Sequence, residues 1–190
     1  TSVEPAGVVG LDPDSDELAF FPLIYWPVAP GQSPPSDNAL HKIQHYIDHG
    51  GTILIDTRDQ PANGERTATL QNLLSGLSIP PLIPMPENHV LTKSFYLLDT
   101  LPGRFDGGTL WIEQTSANGR DGVSSIIIGS NDWAGAWANA DTHAGLRLYG
   151  GQPQEEMAMR AGINLVMYAL TGNYKADQVH LPHILERLGQ

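Results

Sequence analysis

Apolar residues in this chain come in short runs set between proline- and glycine-rich stretches, and two different periods alternate along it. Leu23-Ile24-Tyr25-Trp26 is a continuous apolar run just after Pro22, which predicts a strand. Pro27, Pro30, Pro34 and Pro35 make the following stretch a loop. From Asp37 the period changes. Leu40, Ile43 and Ile47, flanked by Ala39 and Tyr46, mark one apolar stripe of a helix over residues 37–49. Ser36 or Asp37 suits its N-cap, and Gly50 stands where a left-handed residue ends a helix. Residues 52–56 follow at once as a strand that is apolar on both faces, as a central parallel strand must be.

Further along, a polar link over residues 60–66 leads to a short helix carrying Leu70, Leu73, Leu74 and Leu77. Pro80, Pro81, Pro84 and Pro86 predict an extended connection, and residues 88–98 a turn with a short strand. Runs at 109–114 and 124–129 flank the turn dipeptides Asn118-Gly119 and Asp121-Gly122, so a hairpin is expected. A loop rich in Gly, Ala and Asn is expected from Ser130 to Gly151. Residues 154–171 are the best-patterned helix, with Met159, Ile163, Val166 and Leu170 as its buried face and Gly172 as its stop. A last short helix spans 182–188. The order strand, helix, strand around residues 23–56 predicts two parallel strands. The expected fold is therefore α/β: a three-layer α/β/α sandwich with a mainly parallel sheet and an antiparallel hairpin at 109–129. Residues 1–190 read as one domain without internal repeats.

Composition narrows what such a domain does. Only 16% of residues are charged and the formal net charge is −11, with ten Lys and Arg scattered singly. That balance offers no basic face for nucleic acid or for an anionic lipid surface. No apolar run is long enough to span a membrane. The chain has no cysteine, which excludes thiol nucleophiles, disulfides and thiolate metal sites. It begins Thr1-Ser2-Val3 without an initiator Met, so it is expected to be a piece of a longer protein.

Candidate chemistry sits where strands end, because ligands of open α/β sheets bind at the carboxyl ends of the strands. Trp26 ends one run, Asp56, Arg58 and Asp59 end the next, and Asn131, Asp132 and Trp133 follow a third. These seven residues are the candidate ligand-binding set, expected to meet at one edge with Arg58 paired to one of the aspartates. Asp56 has two readings: a carboxylate that holds backbone amides, or an acid/base group in a crevice. Asp56, Asp59, Asp132 and His143 would be the ligands of an oxygen-rich metal site, as a hydrolase would need. The acidic run Asp12, Asp14, Asp16 and Glu17 lacks the spacing of a calcium loop and reads as a solvated turn. His45 and His49, four apart in the last turn of a helix, read as surface histidines that complement the helix dipole. No Gly-x-Ser-x-Gly elbow and no phosphate-binding glycine loop is present. No cofactor is expected.

Several segments carry a family resemblance. Phe21-Pro22-Leu23-Ile24-Tyr25-Trp26-Pro27, Tyr46 to Asp56 with its Gly50-Gly51 step, and Ile128-Gly129-Ser130-Asn131-Asp132-Trp133 resemble the bacterial "domain of unknown function 4159" family. Asn164 to Gly172 is similar to its C-terminal helix. The resemblance implies a fold like that of class I glutamine amidotransferases, which is flavodoxin-like, with a first strand and helix expected before Thr1. In those enzymes the catalytic Cys follows the strand that here ends in Asp56-Thr57-Arg58, so amidotransferase activity does not carry over. The resemblance further implies a non-catalytic interaction or ligand-sensing module of a membrane-anchored envelope protein. Its partner would be a protein, and its place periplasmic.

Overall fold

Leu23–Pro27 forms strand β1, Asp37–Asp48 helix α1 and Thr52–Asp56 strand β2, and this unit sets the direction of the sheet. The computed structural model describes residues 8–59, 65–114, 123–138 and 153–188, without the side chains of residues 65, 66 and 172–188. β1 and β2 are parallel, with Tyr25 opposite Leu54 and Trp26 opposite Ile55. Helix α1 starts where Ser36 Oγ accepts the Ala39 amide at 3.1 Å, an N-cap that satisfies one orphan donor. It ends at Gly50, whose φ of 89° is the left-handed turn that glycine adopts without strain. Tyr46 then ties helix to sheet: its hydroxyl donates to the carbonyl of Phe21 at 2.6 Å and lies 3.2 Å from both polar backbone atoms of Thr52. A Cβ on Gly51 would stand 2.3 Å from the Tyr46 ring, so the glycine pair makes this close approach possible.

The sheet has five strands in the order β1-β2-β5-β4-β3, where β3 is Leu82–Pro84, β4 Trp111–Glu113 and β5 Ile126–Gly129. β5 lies parallel to β2, β4 antiparallel to β5, and β3 antiparallel to β4. Four of the five strands thus share one direction. The expected antiparallel pairing within 109–129 is present; its turn at residues 118–122 lies outside the described residues. Alternate residues of β2 face two separate cores. Ile53 and Ile55 pack with Ile43, Ile47 and Leu73. Leu54 packs with Ile127, Trp133, Leu165 and Tyr168.

The structure departs from the expected elements in four places. The proline-rich stretch after Pro80 contributes β3, an edge strand, where prolines are tolerated. Residues 90–93 form a 3-10 turn and no strand. The buried side chain of Asn164 takes over the backbone pairing in this region: Oδ1 accepts the amides of Phe95 and Tyr96, and Nδ2 donates to the carbonyls of Leu91 and Tyr96. Trp133–Ala138 is helix α3, following helix α2 at Glu65–Leu74, where a loop was expected. Finally, helix α4 spans Gln154–Leu188 and continues past both Gly172 and Pro182.

The buried face of α4 is also the opposite of the expected one. Ala158, Ala161, Asn164, Leu165 and Tyr168 are buried. Met159, Ile163, Val166 and Leu170 are 45%, 39%, 45% and 57% exposed. Both rows have helical spacing, so periodicity alone does not choose between them. Close packing does. Two alanines let the helix approach the sheet, and Gly162 accommodates the Trp137 ring, which a Cβ there would meet at 3.0 Å.

Candidate functional site

Asp56 is the last residue of β2, and its side chain is completely buried. Strand alternation puts it on the same face as Leu54 and Tyr25, toward α3 and α4. Four donors converge on the carboxylate. Oδ2 accepts from the Tyr25 hydroxyl at 2.8 Å and the Trp133 amide at 2.9 Å. Oδ1 accepts from the Arg58 amide at 3.0 Å and the Asp132 amide at 3.2 Å. Burial pushes this carboxyl above the ordinary carboxylate range, while the same four donors pull it back down. The neighbouring charge in turn reinforces the effect of burial on Tyr25, whose hydroxyl is held far above its usual pKa. Tyr25 is therefore a neutral donor and not a base.

The two loops that supply the amides are shaped for it. Arg58 and Asp132 both have positive φ, 54° and 51°, which is uncommon for residues with a side chain. These left-handed turns direct the amide N–H groups of residues 58, 132 and 133 inward at the carboxylate. Glycines clear the way. A Cβ on Gly129 would lie 2.3 Å from the Trp133 ring, and one on Gly103 2.3 Å from the Asn131 carbonyl.

The expected meeting of the two clusters thus occurs: Asp56 is bonded directly to residues 58, 132 and 133. Its members nonetheless face different ways. Asp59 bonds the Thr57 hydroxyl, its neighbour two residues back. Among the described residues Arg58 pairs with no aspartate; its guanidinium donates to the Val28 carbonyl at 3.3 Å. Asp56 is already filled by neutral donors, so it needs no cation. The ion pair at this edge is Arg104 with Asp132, at 3.5 Å. Asn131 and Trp133 are buried, and both donate to the Leu101 carbonyl, at 2.9 and 3.1 Å. Trp26 packs on the opposite face, with the α1 core. His143 lies outside the described residues.

Tyr25, Arg104 and Asn164 are the residues that the sequence pattern did not single out. Tyr25 was within reach: in a strand only every second residue shares the face of Asp56, and the register puts Tyr25 there and turns Trp26 away. Arg104 comes from a loop whose path the sequence does not display, and Asn164 lies on the buried face of α4, away from Asp56, where it bonds residues 91, 95 and 96. Among the described residues no three His, Asp or Glu side chains are grouped to hold a metal ion, and no helix is long and apolar enough to cross a membrane. The acidic turn is used structurally: Asp14 accepts from Ser36 and Asn38 at the start of α1, and Lys42 Nζ reaches the carbonyls of Asp14 and Asp16.

Fold and site together define a mixed α/β domain whose strand-end carboxylate serves its own backbone. The chain belongs to the family described as a domain of unknown function (DUF4159), whose model matches residues 1–170. No curated protein matches it.

Proposed function

We propose that this domain is a non-catalytic interaction or ligand-sensing module of glutamine amidotransferase-like, flavodoxin-like fold, carried by a membrane-anchored bacterial envelope protein and lying on the periplasmic side. Helices packed on both faces of the sheet support a three-layer sandwich. One observation carries the interaction reading. Met159, Ile163, Val166 and Leu170 form a continuous apolar row along α4 that the domain itself leaves exposed. Exposed apolar rows of this kind mark protein contacts in soluble domains. The partner is a protein, another part of the parent protein included.

The rival reading, a carboxylate- or metal-dependent hydrolase, needs Asp56, Asp59 and Asp132 to face one substrate. Asp56 is instead enclosed by four donors, Asp59 turns to Thr57, and Asp132 pairs with Arg104. A pull-down from membranes expressing the parent protein tests the choice. The double variant Ile163→Asp, Val166→Asp should lose the co-purified partner while keeping its fold. Retention of the same partner by the folded double variant would remove the basis of this proposal.

A further inference from the structure

His41, His45 and His49 follow one another at turn spacing on the exposed side of α1, the last of them as its C-cap. The last two are brought together: their rings stack with centroids 3.9 Å apart and planes 23° from parallel. Two imidazolium rings at that distance would repel, so at least one of them is neutral. The stack therefore cannot complement the negative end of the helix dipole with two charges. The tautomer of His49 is fixed as well. Its Nδ1 lies 2.7 Å from the His45 carbonyl oxygen, which only accepts, so Nδ1 carries the hydrogen. In the neutral ring the lone pair then sits on Nε2, free of the backbone. That is how a metal-ligating histidine is prepared, with its other nitrogen anchored to a carbonyl or a carboxylate.

Two histidines four apart on one helix face have the spacing at which a single ion is gripped. An ion bonded at about 2.0 Å to one nitrogen of each ring spans up to about 4 Å. Rings already 3.9 Å apart stand at the separation a shared ion requires. Both rings line a cleft of about 550 Å³, to which Glu17 adds a carboxylate. Lys42 lines it too, but its Nζ is turned to the carbonyls of Asp14 and Asp16. Gly50 leaves room for water on the ion, because even a Cβ there would meet nothing within 4 Å.

We propose that His45 and His49 form a two-nitrogen site for one Cu²⁺ ion, which clips the last turn of α1 to its cap and supplies the positive charge that this helix end lacks. Imidazole suits copper, and Cu²⁺ heads the order of affinity of divalent ions for a given nitrogen site. Zn²⁺ sites use three or four protein ligands, so a pair holds Zn²⁺ too weakly to survive dialysis. The site shares no residue with the α4 surface or with the Asp56 cluster and stands or falls without them. The test is a Cu²⁺ titration of the tag-free chain, read by calorimetry and by the nitrogen couplings in electron paramagnetic resonance. It is run beside His45→Asn, His49→Asn and His41→Asn. All three positions are exposed, so each variant should keep the fold, which circular dichroism checks. The tightest equivalent on the native chain should show two imidazole ligands. His45→Asn and His49→Asn should each weaken it by about tenfold or more and leave one imidazole. His41→Asn should leave affinity and signature unchanged, because three ligating side chains are not grouped here. The proposal is overturned if the native chain shows no two-imidazole equivalent. It is equally overturned if His45→Asn or His49→Asn binds copper as the native chain does, which would place the ion elsewhere.

Discussion

The carboxyl end of β2 and the outer surface of α4 are the two regions where function was to be sought, and they are built in opposite ways. At the end of β2 a charged group is enclosed and its hydrogen-bonding capacity is used by the protein's own Tyr25 and three backbone amides. On α4 apolar side chains that would stabilise the fold if buried lie in solvent. A buried carboxylate is costly unless it is fully hydrogen-bonded, and here it is, so Asp56 works as a latch between β1, β2 and the loop that starts α3. The exposed part of the α4 row contributes nothing to the isolated domain. The contrast teaches that the polar cluster is where the fold is held, and the apolar surface is where the proposed partner would be met.

The largest expected effect lies at the latch. Asp56→Ala leaves the Tyr25 hydroxyl, the buried Trp133 amide and two part-buried amides without an acceptor and should cost about 3–5 kcal/mol in urea unfolding. Asp56→Asn keeps the shape and one acceptor oxygen, so it should cost less and remain folded. A loss below about 1 kcal/mol for Asp56→Ala would make the two regions alike. Next comes Asn164, whose four hydrogen bonds hold the 3-10 turn, through Leu91, and the following Phe95 and Tyr96 against α4. Asn164→Leu, close in volume but without polar atoms, should cost about 2–4 kcal/mol and raise amide exchange at Phe95 and Tyr96.

A smaller effect is pH dependence. Because burial raises the Asp56 carboxyl in the folded state, its linkage favours the native state at low pH. That advantage is complete below the unfolded value of about 3.9 and is lost as the pH rises through the higher folded value. The stability gap between the native protein and Asp56→Asn should therefore shrink from pH 4 upward and then level off. A gap that widens with pH would mean that the donors outweigh burial. Smallest of all is the response of α4: Ile163→Ser and Val166→Ser, at half-buried positions, should each cost about 1 kcal/mol. A loss of several times that would show that this row is packed after all.

Much of the latch region was legible before the structure, whereas the exposed face of α4 was expected to be its buried one. The strand–helix–strand unit is encoded locally by Pro22, Ser36, Gly50-Gly51 and an apolar run, so residues 23–56 could be read within one residue or so of their bounds. The convergence of Asp56 with residues 131–133 followed from both groups ending adjacent parallel strands. What could not be read were choices made by tertiary packing. Two apolar rows of α4 satisfy the same period, and only the room available beside Trp133 and Trp137 selects the one with alanines. Arg58 was expected to pair because carboxylates crowded at one edge need a cation to stay ionised, but a left-handed backbone and neutral donors remove the need. The short helix α3 is hidden in a composition of Gly, Ala and Trp that resembles a loop, although it is anchored through the amide of its first residue.

The most direct measurement is the metal content of the purified protein after incubation with Mg²⁺, Mn²⁺ or Zn²⁺ and dialysis, taken together with the unfolding free energy of the native chain and of Asp56→Asn. If Asp56 is a structural latch, no metal is retained in stoichiometric amount, and Asp56→Asn loses the same stability with and without the ions. One equivalent of metal per chain that disappears together with Asp56, carrying the stability difference with it, would contradict the structural role and turn this edge of the sheet back into a hydrolase site.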